Sequence, residues 1–343
     1  MYICVININN MEMTQDKLNR LIEVLSVPTY SRDEKLMIEY LQKVLTDKGY
    51  EHYTDTHGNI YVTKGLTEHY PCFIAHTDTV HPVNLNMTVL KENNKNLGVT
   101  LRGVDNVTKK PSGIGGDDKC GVYLALEMLD TLPNVKVALF VSEEIGCKGS
   151  MYADSDFFKN VGYVIQYDSP GGDSMSLTLM GRYLFNQESN FANKVGGLIK
   201  EHGIVEWAYH PYTDVWQIME KFDIACLNLA AGYYKYHTDN EYVVVEDVQN
   251  GFELGLKLVE SLGEKKYDNP KEDRYKKTYD YTSTFNSSKS TIKSILNEDS
   301  KKDDDDDDDD IFNSGEYVFK NHKTDYGYYS KPWGSEWDEK YDW

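Results

Sequence analysis

The sequence predicts an α/β fold: one mixed β-sheet in a three-layer arrangement with helices on both faces, followed by a disordered acidic C-terminal tail. Three observations lead there. Short apolar runs that read as buried strands alternate with longer stretches of helical periodicity, the pattern of a sheet covered by crossover helices. Hydrophobic residues make up 40% of the 343-residue chain, enough for a substantial core. Near residue 264 the texture changes, and the chain beyond is polar, rich in Lys, Asp, Ser and Tyr, and nearly aperiodic.

The elements follow in order. Thr14 opens a helix that runs to Ser26 and stops before Pro28. Ser31-Arg-Asp-Glu34 matches a capping box and predicts a second helix carrying Leu36, Ile38, Leu41, Val44 and Leu45, closed by Gly49. Residues 51–55 and 59–63 read as a hairpin around His57-Gly58, and residues 71–76 as a short buried strand. Residues 82–116 read as a long irregular stretch with short strands in it, a length that inside a domain usually serves function. Then come a helix at 119–132, a central strand at 135–142, strands at 162–167 and 176–180, and a helix at 185–202. A short helix at 214–221, a strand at 224–230 and a long final helix at 245–262 complete a domain expected to span residues 1–263.

The charge is uneven. The formal net charge is −20, which argues against a nucleic-acid or anionic-membrane partner because the summed field repels phosphate. Asp303 to Asp310 alone supply eight of those charges; residues 264–343 carry −7 in all, leaving −13 for residues 1–263. No apolar run approaches the ~18 residues of a membrane span. The first ten residues lack a basic segment, so no secretory signal is expected, and five cysteines without a CxxC fit a reduced, cytoplasmic setting. Residues 264–310 are expected to be a disordered acidic linker with a short helix near 290–296. Residues 311–343 hold ten aromatic residues, three of them Trp; docking on the protein itself, on a second copy or on a partner stands on an equal footing with an aromatic-rich disordered end of no specific role.

The acids and histidines fall where strands end. Residues 71–76 finish in His76-Thr-Asp78, the helix at 119 is preceded by Asp117-Asp118, residues 135–142 run into Glu143-Glu144, residues 162–167 into Asp168, and the strand at 224–230 leads to His237 and Glu241. Singly, each has an ordinary reading: a solvated turn, a helix cap, surface charge. Gathered at one sheet edge they would repel and desolvate badly without a cation. Two metal ions with three protein ligands each and one shared carboxylate need five residues, and His76, Asp117, Glu144, Asp168 and His237 supply them. Asp78 is placed to accept the proton on the other nitrogen of His76, and Glu143, on the opposite side of an extended segment from Glu144, to serve as general base. Asp118 reads as a cap of the helix it precedes, His81 as a loop histidine, Cys120 and Cys147 as small buried residues, and Arg182 as a candidate for holding a substrate carboxylate.

His76-Thr-Asp-Thr-Val80, Gly116-Asp-Asp-Lys119 with Gly121, Ser142-Glu-Glu-Ile-Gly146 with Gly149-Ser150, Asp168 and His237 occur in the order of the co-catalytic zinc exopeptidases, which the chain resembles over about residues 14–263. That superfamily includes peptidase T-like tripeptidases, leucyl-type aminopeptidases and tetrahedral aminopeptidases. The resemblance implies a zinc-peptidase domain in which His76, Asp117 and Asp168 hold one metal and Asp117, Glu144 and His237 the other. It implies Glu143 as the base, Asp78 as the group that orients His76, and Asp214 of Tyr212-Thr-Asp214 as a supporting acid. Peptidase T-like members insert a lid between the acid at 168 and the final His; only 68 residues separate Asp168 from His237 here, so no lid is expected. The implied function is hydrolysis of N-terminal residues from short peptides by a metal-activated water, with Zn²⁺ foremost and Co²⁺ or Mn²⁺ as alternatives. An N-acyl amino acid deacylase and a non-enzymatic peptide-binding scaffold that uses the aromatic tail are the rival readings. Self-association is compatible with each.

Overall fold

A computed structural model describes residues 13–179, 182–204, 206–210 and 213–274, with backbone only for 206–210. The expected linker helix at 290–296, the acidic run and the aromatic segment 311–343 lie outside the described residues, as does most of the expected linker.

Two helices, α1 (Gln15–Ser26) and α2 (Lys35–Asp47), precede a hairpin of β1 (His52–Thr54) and β2 (Ile60–Lys64). The strand β3 (Tyr70–His76) leads to a second hairpin, β4 (Met87–Asn94) and β5 (Gly98–Asp105), and then to α3 (Gly116–Thr131) and β6 (Val135–Phe140). Short helices α4 (Lys148–Met151) and α5 (Ser155–Phe158) follow, then β7 (Val161–Ser169), β8 (Ser174–Leu179), β9 (Arg182–Tyr183) and α6 (Asn190–Glu201). The last elements are β10 (Glu206–His210), α7 (Asp214–Phe222), β11 (Cys226–Ala230), β12 (Tyr233–Tyr234), β13 (Tyr242–Val244), α8 (Val245–Leu262) and α9 (Lys271–Arg274).

Among the described residues, the main sheet has the order β1-β2-β6-β3-β7-β11-β8-β10, with β9 paired to β8. Its central strands β6, β3, β7 and β11 are parallel neighbours and buried throughout. Strands covered on both faces lack a polar side, which is why they read as continuous apolar runs. The alternation along β7 sorts the layers. Tyr167 donates to the Gly251 carbonyl of α8 and stacks on Phe73, while its neighbour Gln166 turns the other way and accepts from Thr213 and from the Val215 amide of α7. Helices therefore cover both faces, as expected. Between Asp168 and His237 the described chain forms β8 to β11 of this same sheet with α6 and α7, and no separate lid.

Four expectations need correction. The capping box does not form: α2 starts at Lys35, and Ser31 and Glu34 turn inward to Asp78 and Ser142. The stretch at 82–116 holds two full eight-residue strands, β4 and β5, which join β13 and β12 in a second sheet of order β12-β13-β5-β4. The outer strand β4 is largely wet, so its Lys, Glu and Asn residues hid it. The helix expected at 185–202 begins only at Asn190, capped by Ser189. The boundary expected after residue 263 falls inside packed structure. There the Tyr267 amide donates to the Gly162 carbonyl, the Ala225 amide donates to the Tyr267 carbonyl, and the fully buried Arg274 pairs with Glu220 and Asp223 of and after α7. This strap lacks hydrophobic periodicity because polar groups hold it.

Candidate metal centre

Three adjacent parallel strands end at one place, and the site is built there. His76 closes β3, Asp168 lies at the end of β7, and Glu143-Glu144 follow β6 after Ser142, which turns the chain with a φ of 58°. Asp117 and Asp118 head α3 with non-helical dihedrals and a cis peptide between them; the regular helix begins at Lys119. Gly115 just before them has a φ of +67°, and a Cβ there would come within 2.7 Å of the Thr79 methyl, so the turn demands glycine. His237 comes from the connection between β12 and β13.

The six groups converge. His76 Nε2 stands 3.1 Å from Asp117 Oδ1, 3.7 Å from Asp168 Oδ1 and 4.0 Å from Glu143 Oε2. His237 Nε2 stands 3.3 Å from Asp117 Oδ2 and 3.1 Å from Glu144 Oε2. Two clusters result, His76–Asp117–Asp168 and Asp117–Glu144–His237, each with its candidate donor atoms within 4.8 Å of one another. Asp117 belongs to both, one oxygen toward each histidine. The first cluster is enclosed; the second opens to solvent through His237, whose side chain is 42% exposed.

A further layer fixes these groups. The carboxylate of Asp78, fully buried, accepts from Ser31 Oγ (2.7 Å) and from the amides of Glu143 (2.9 Å) and Glu144 (3.2 Å), and His76 Nδ1 lies 3.1 Å from the Asp78 carbonyl and 3.4 Å from its carboxylate. That partnership leaves His76 Nε2 for the cluster. Asp118 accepts from the His76 and Gly121 amides, joining β3 to α3. Asp168 receives Gln166 Nε2 and the Tyr233 hydroxyl. Glu143 accepts from the Cys147 thiol at 3.2 Å, and Glu241 accepts from His81, Gly115 and Asp117. Lys119, buried, donates to the carbonyls of Leu25 and Ile114, and burial lowers its pKa to about 8.

The electrostatics show the conflict expected of clustered acids. Burial and then the Asp117 charge push Glu144 up to about 7, and burial with the charges of Asp168, Asp214 and Glu144 pushes Glu143 well above the usual carboxylate range. Burial works against the imidazolium of His237, yet the hydrogen bonds to Asp117 and Glu144 outweigh it and lift it to about 11. His76 is raised in the same way against its burial by Asp117, Asp168 and Asp78. A divalent cation would relieve this crowding directly. Zinc bonds of about 2.0–2.2 Å in a tetrahedron separate neighbouring donors by roughly 3.3 Å, and the four ligand separations above run from 3.1 to 3.7 Å. The residues fit a metal.

No family model matches the chain, and no curated protein matches it. Solved structures do. A tripeptidase from Staphylococcus aureus superposes with a TM-score of 0.57 at 14% identity, covering 72% of this chain and 98% of its own. Aminopeptidase PepT from Bacillus cereus gives 0.58 at 16%, covering 73% and 99%. A TET aminopeptidase from a Thaumarchaeota archaeon gives 0.52 at 13%, again covering 73% and 99%. The chain has the tripeptidase and TET aminopeptidase fold.

On this fold, the structure brings the five ligand candidates and Glu143 together. Glu143 and Glu144 both face the cluster, because the chain bends at Ser142 instead of continuing as a strand. Asp214 is fully buried at the start of α7, bonded to Ser150 Oγ through one oxygen with the other lacking a hydrogen-bond partner, and stands outside both clusters. Arg182 pairs with Glu220 near the strap, away from the role considered for it. His81 is tied to Glu241, where a loop histidine was expected. Sequence reasoning missed Ser31, Glu34 and Glu241 as supports. The spacing of Ser31 and Glu34 fits a helix cap equally well, and only the fold distinguishes the two uses.

Proposed function

We propose that the protein is a metal-dependent exopeptidase that removes N-terminal residues from short peptides, with two divalent ions, zinc foremost, held by His76–Asp117–Asp168 and Asp117–Glu144–His237. The observation that carries the reading is Asp117 shared between two donor clusters with the unligated carboxylate of Glu143 beside them. Asp117, Asp168, Glu144 and Glu143 together carry four negative charges when ionised, which two divalent ions would balance. Bound there, the ions would bring the pKa of a water toward ~7 and polarise the scissile carbonyl. The chain's own residues do the rest. Asp78 holds the His76 ring in register. The Cys147 thiol, which burial keeps protonated, anchors Glu143 Oε1 and leaves Oε2 toward the cluster. Glu143 takes a proton from the attacking water and returns it to the departing amine. The fold shared with tripeptidases and aminopeptidases supports peptides as substrates. Four described cysteines are buried free thiols, in keeping with a cytoplasmic setting, and among the described residues no helix is long and apolar enough to cross a membrane.

The test is Glu143→Ala with a panel of aminoacyl, tripeptide and N-acyl amino acid substrates, alongside metal analysis. We expect the variant to retain metal and lose about 10²–10⁴-fold in peptide turnover. Undiminished turnover would remove Glu143 as the base. Preferential cleavage of N-acyl amino acids by the wild type would replace the peptidase reading with a deacylase, and metal binding without any turnover would leave a scaffold.

A further inference from the structure

We infer that Glu241 is the positioning residue that sets the shared ligand Asp117 against His237, so that metal affinity at this centre depends on a carboxylate that touches no metal. The inference rests on the metal-site reading above. Glu241 has no exposed surface, and its carboxylate spans three chain segments. Oε1 accepts from the Asp117 amide at 3.0 Å; Oε2 accepts from the Gly115 amide at 2.8 Å and from His81 Nε2 at 2.9 Å. A carboxylate only accepts, so His81 presents its Nε2 proton here. The Glu241 amide donates to the Thr238 carbonyl at 3.1 Å, closing the turn that directly follows His237.

The consequence is a fixed distance between two ligands from remote parts of the chain. Asp117 and His237 lie 120 positions apart, and each sits where the backbone leaves regular structure: Asp117 ahead of the helical part of α3, His237 at a φ of 60°. Neither is held by a strand ladder of its own. Glu241 joins them at the backbone, and β13, which begins one residue later and pairs with β5, anchors Glu241 in turn. Space is matched to this contact. A Cβ on Gly116 would lie 3.2 Å from Glu241 Oε1 and 2.7 Å from the Tyr233 Cβ, so a larger residue would press on both the acid and β12. Because Asp117 serves both clusters, a slip there disturbs both at once, whereas a slip of an unshared ligand disturbs one.

The experiment strips the full-length protein of metal and titrates Zn²⁺ in competition with a chromophoric chelator, for the wild type, Glu241→Gln, Glu241→Ala and His81→Leu. Unfolding of each metal-free variant is followed in parallel. Loss of outer partners of metal ligands weakens binding by about 10–100-fold. We expect a loss of that size for Glu241→Ala, a smaller one for Glu241→Gln, which keeps one acceptor oxygen, and a smaller one again for His81→Leu. Zinc affinity equal to the wild type in Glu241→Gln and His81→Leu overturns the inference, whatever their thermal stability, and so does lost turnover at unchanged affinity. Should Glu241→Ala fail to fold, the other two variants decide. If the wild type binds zinc but cleaves no peptide, the proposed activity fails while the zinc affinities still judge Glu241.

Discussion

Gly121 lies in the first regular turn of α3, and in an ordinary helix its replacement by alanine would gain about 1 kcal/mol. Here the gain should invert. An added Cβ would stand 2.2 Å from Asp118 Oδ1, the oxygen that accepts the Gly121 amide and whose partner oxygen holds the His76 amide. Gly121→Ala is expected to destabilise the metal-free protein by about 1–3 kcal/mol, the usual cost of overpacking, measured by chemical denaturation; a stabilised variant would show that Asp118 is free to move. At this scale the sequence was most legible where chemistry is contiguous. His76-Thr-Asp78 and Glu143-Glu144 place the proposed ligands, orienting acid and base within three positions, so order along the chain was enough to single them out. Ser31 and Glu34 were misread because their pattern is complete as a local motif, and the tertiary partners Asp78 and Ser142 lie 47 and 108 positions away.

Among elements, three helical segments meet at Asp130 near the end of α3. Its carboxylate receives Arg20 of α1, Lys48 at the end of α2 and the Tyr50 hydroxyl at 2.8 Å. Burial alone would raise the Asp130 pKa, but Lys48, Arg20 and Tyr50 outweigh it and hold the carboxyl below its ordinary value. A carboxyl with a depressed folded pKa contributes stability that is complete above its unfolded pKa of about 3.9 and vanishes as pH falls through the folded value. Asp130 is half-buried, so its contribution is set at about 1–2 kcal/mol after allowing for solvent screening. Asp130→Asn should thus be less stable than the wild type by a constant margin above pH 5, and the two denaturation curves should converge below pH 4. A margin unchanged down to pH 2 would exclude the ion cluster as its source. Elements with a strong period were read correctly from sequence, α8 to the residue. Among the elements missed were the five-residue β10 and the shorter β9, β12 and β13, too short to show a period, and β4, whose wet face breaks one.

For the whole molecule, the domain does not end with α8. Residues 264–274 return across the sheet, with an isolated bridge between Ile224 and Asp268, the Asn269 amide on the Asp223 carbonyl, and Arg274 against Glu220 and Asp223. They hold the C-terminal end of α7, whose first residue is the buried Asp214. A chain cut after Gly263 should be less stable than one cut after Arg274 by at least ~3 kcal/mol, from several lost hydrogen bonds and one broken buried ion pair. Equal melting temperatures for the two would show the strap to be passive. The strap escaped sequence reading because its anchors are Tyr267, Asn269 and Arg274, residues that composition assigns to solvent.

The order of the central strands has one more implication, and it concerns time. β6, β3, β7 and β11 are parallel neighbours drawn from segments scattered between residues 70 and 230, so none of their pairings is local. Such pairings form late, after the hairpins of β1–β2 and β4–β5 can already have closed. His76, Asp168 and the Glu143-Glu144 bend gain their common edge only when that middle is zipped, and His237 only when the smaller sheet is in place beside it. A half-folded chain therefore carries every proposed ligand and has no centre: the gathering of these side chains is a late product of folding, withheld until the barrier to the native sheet has been crossed.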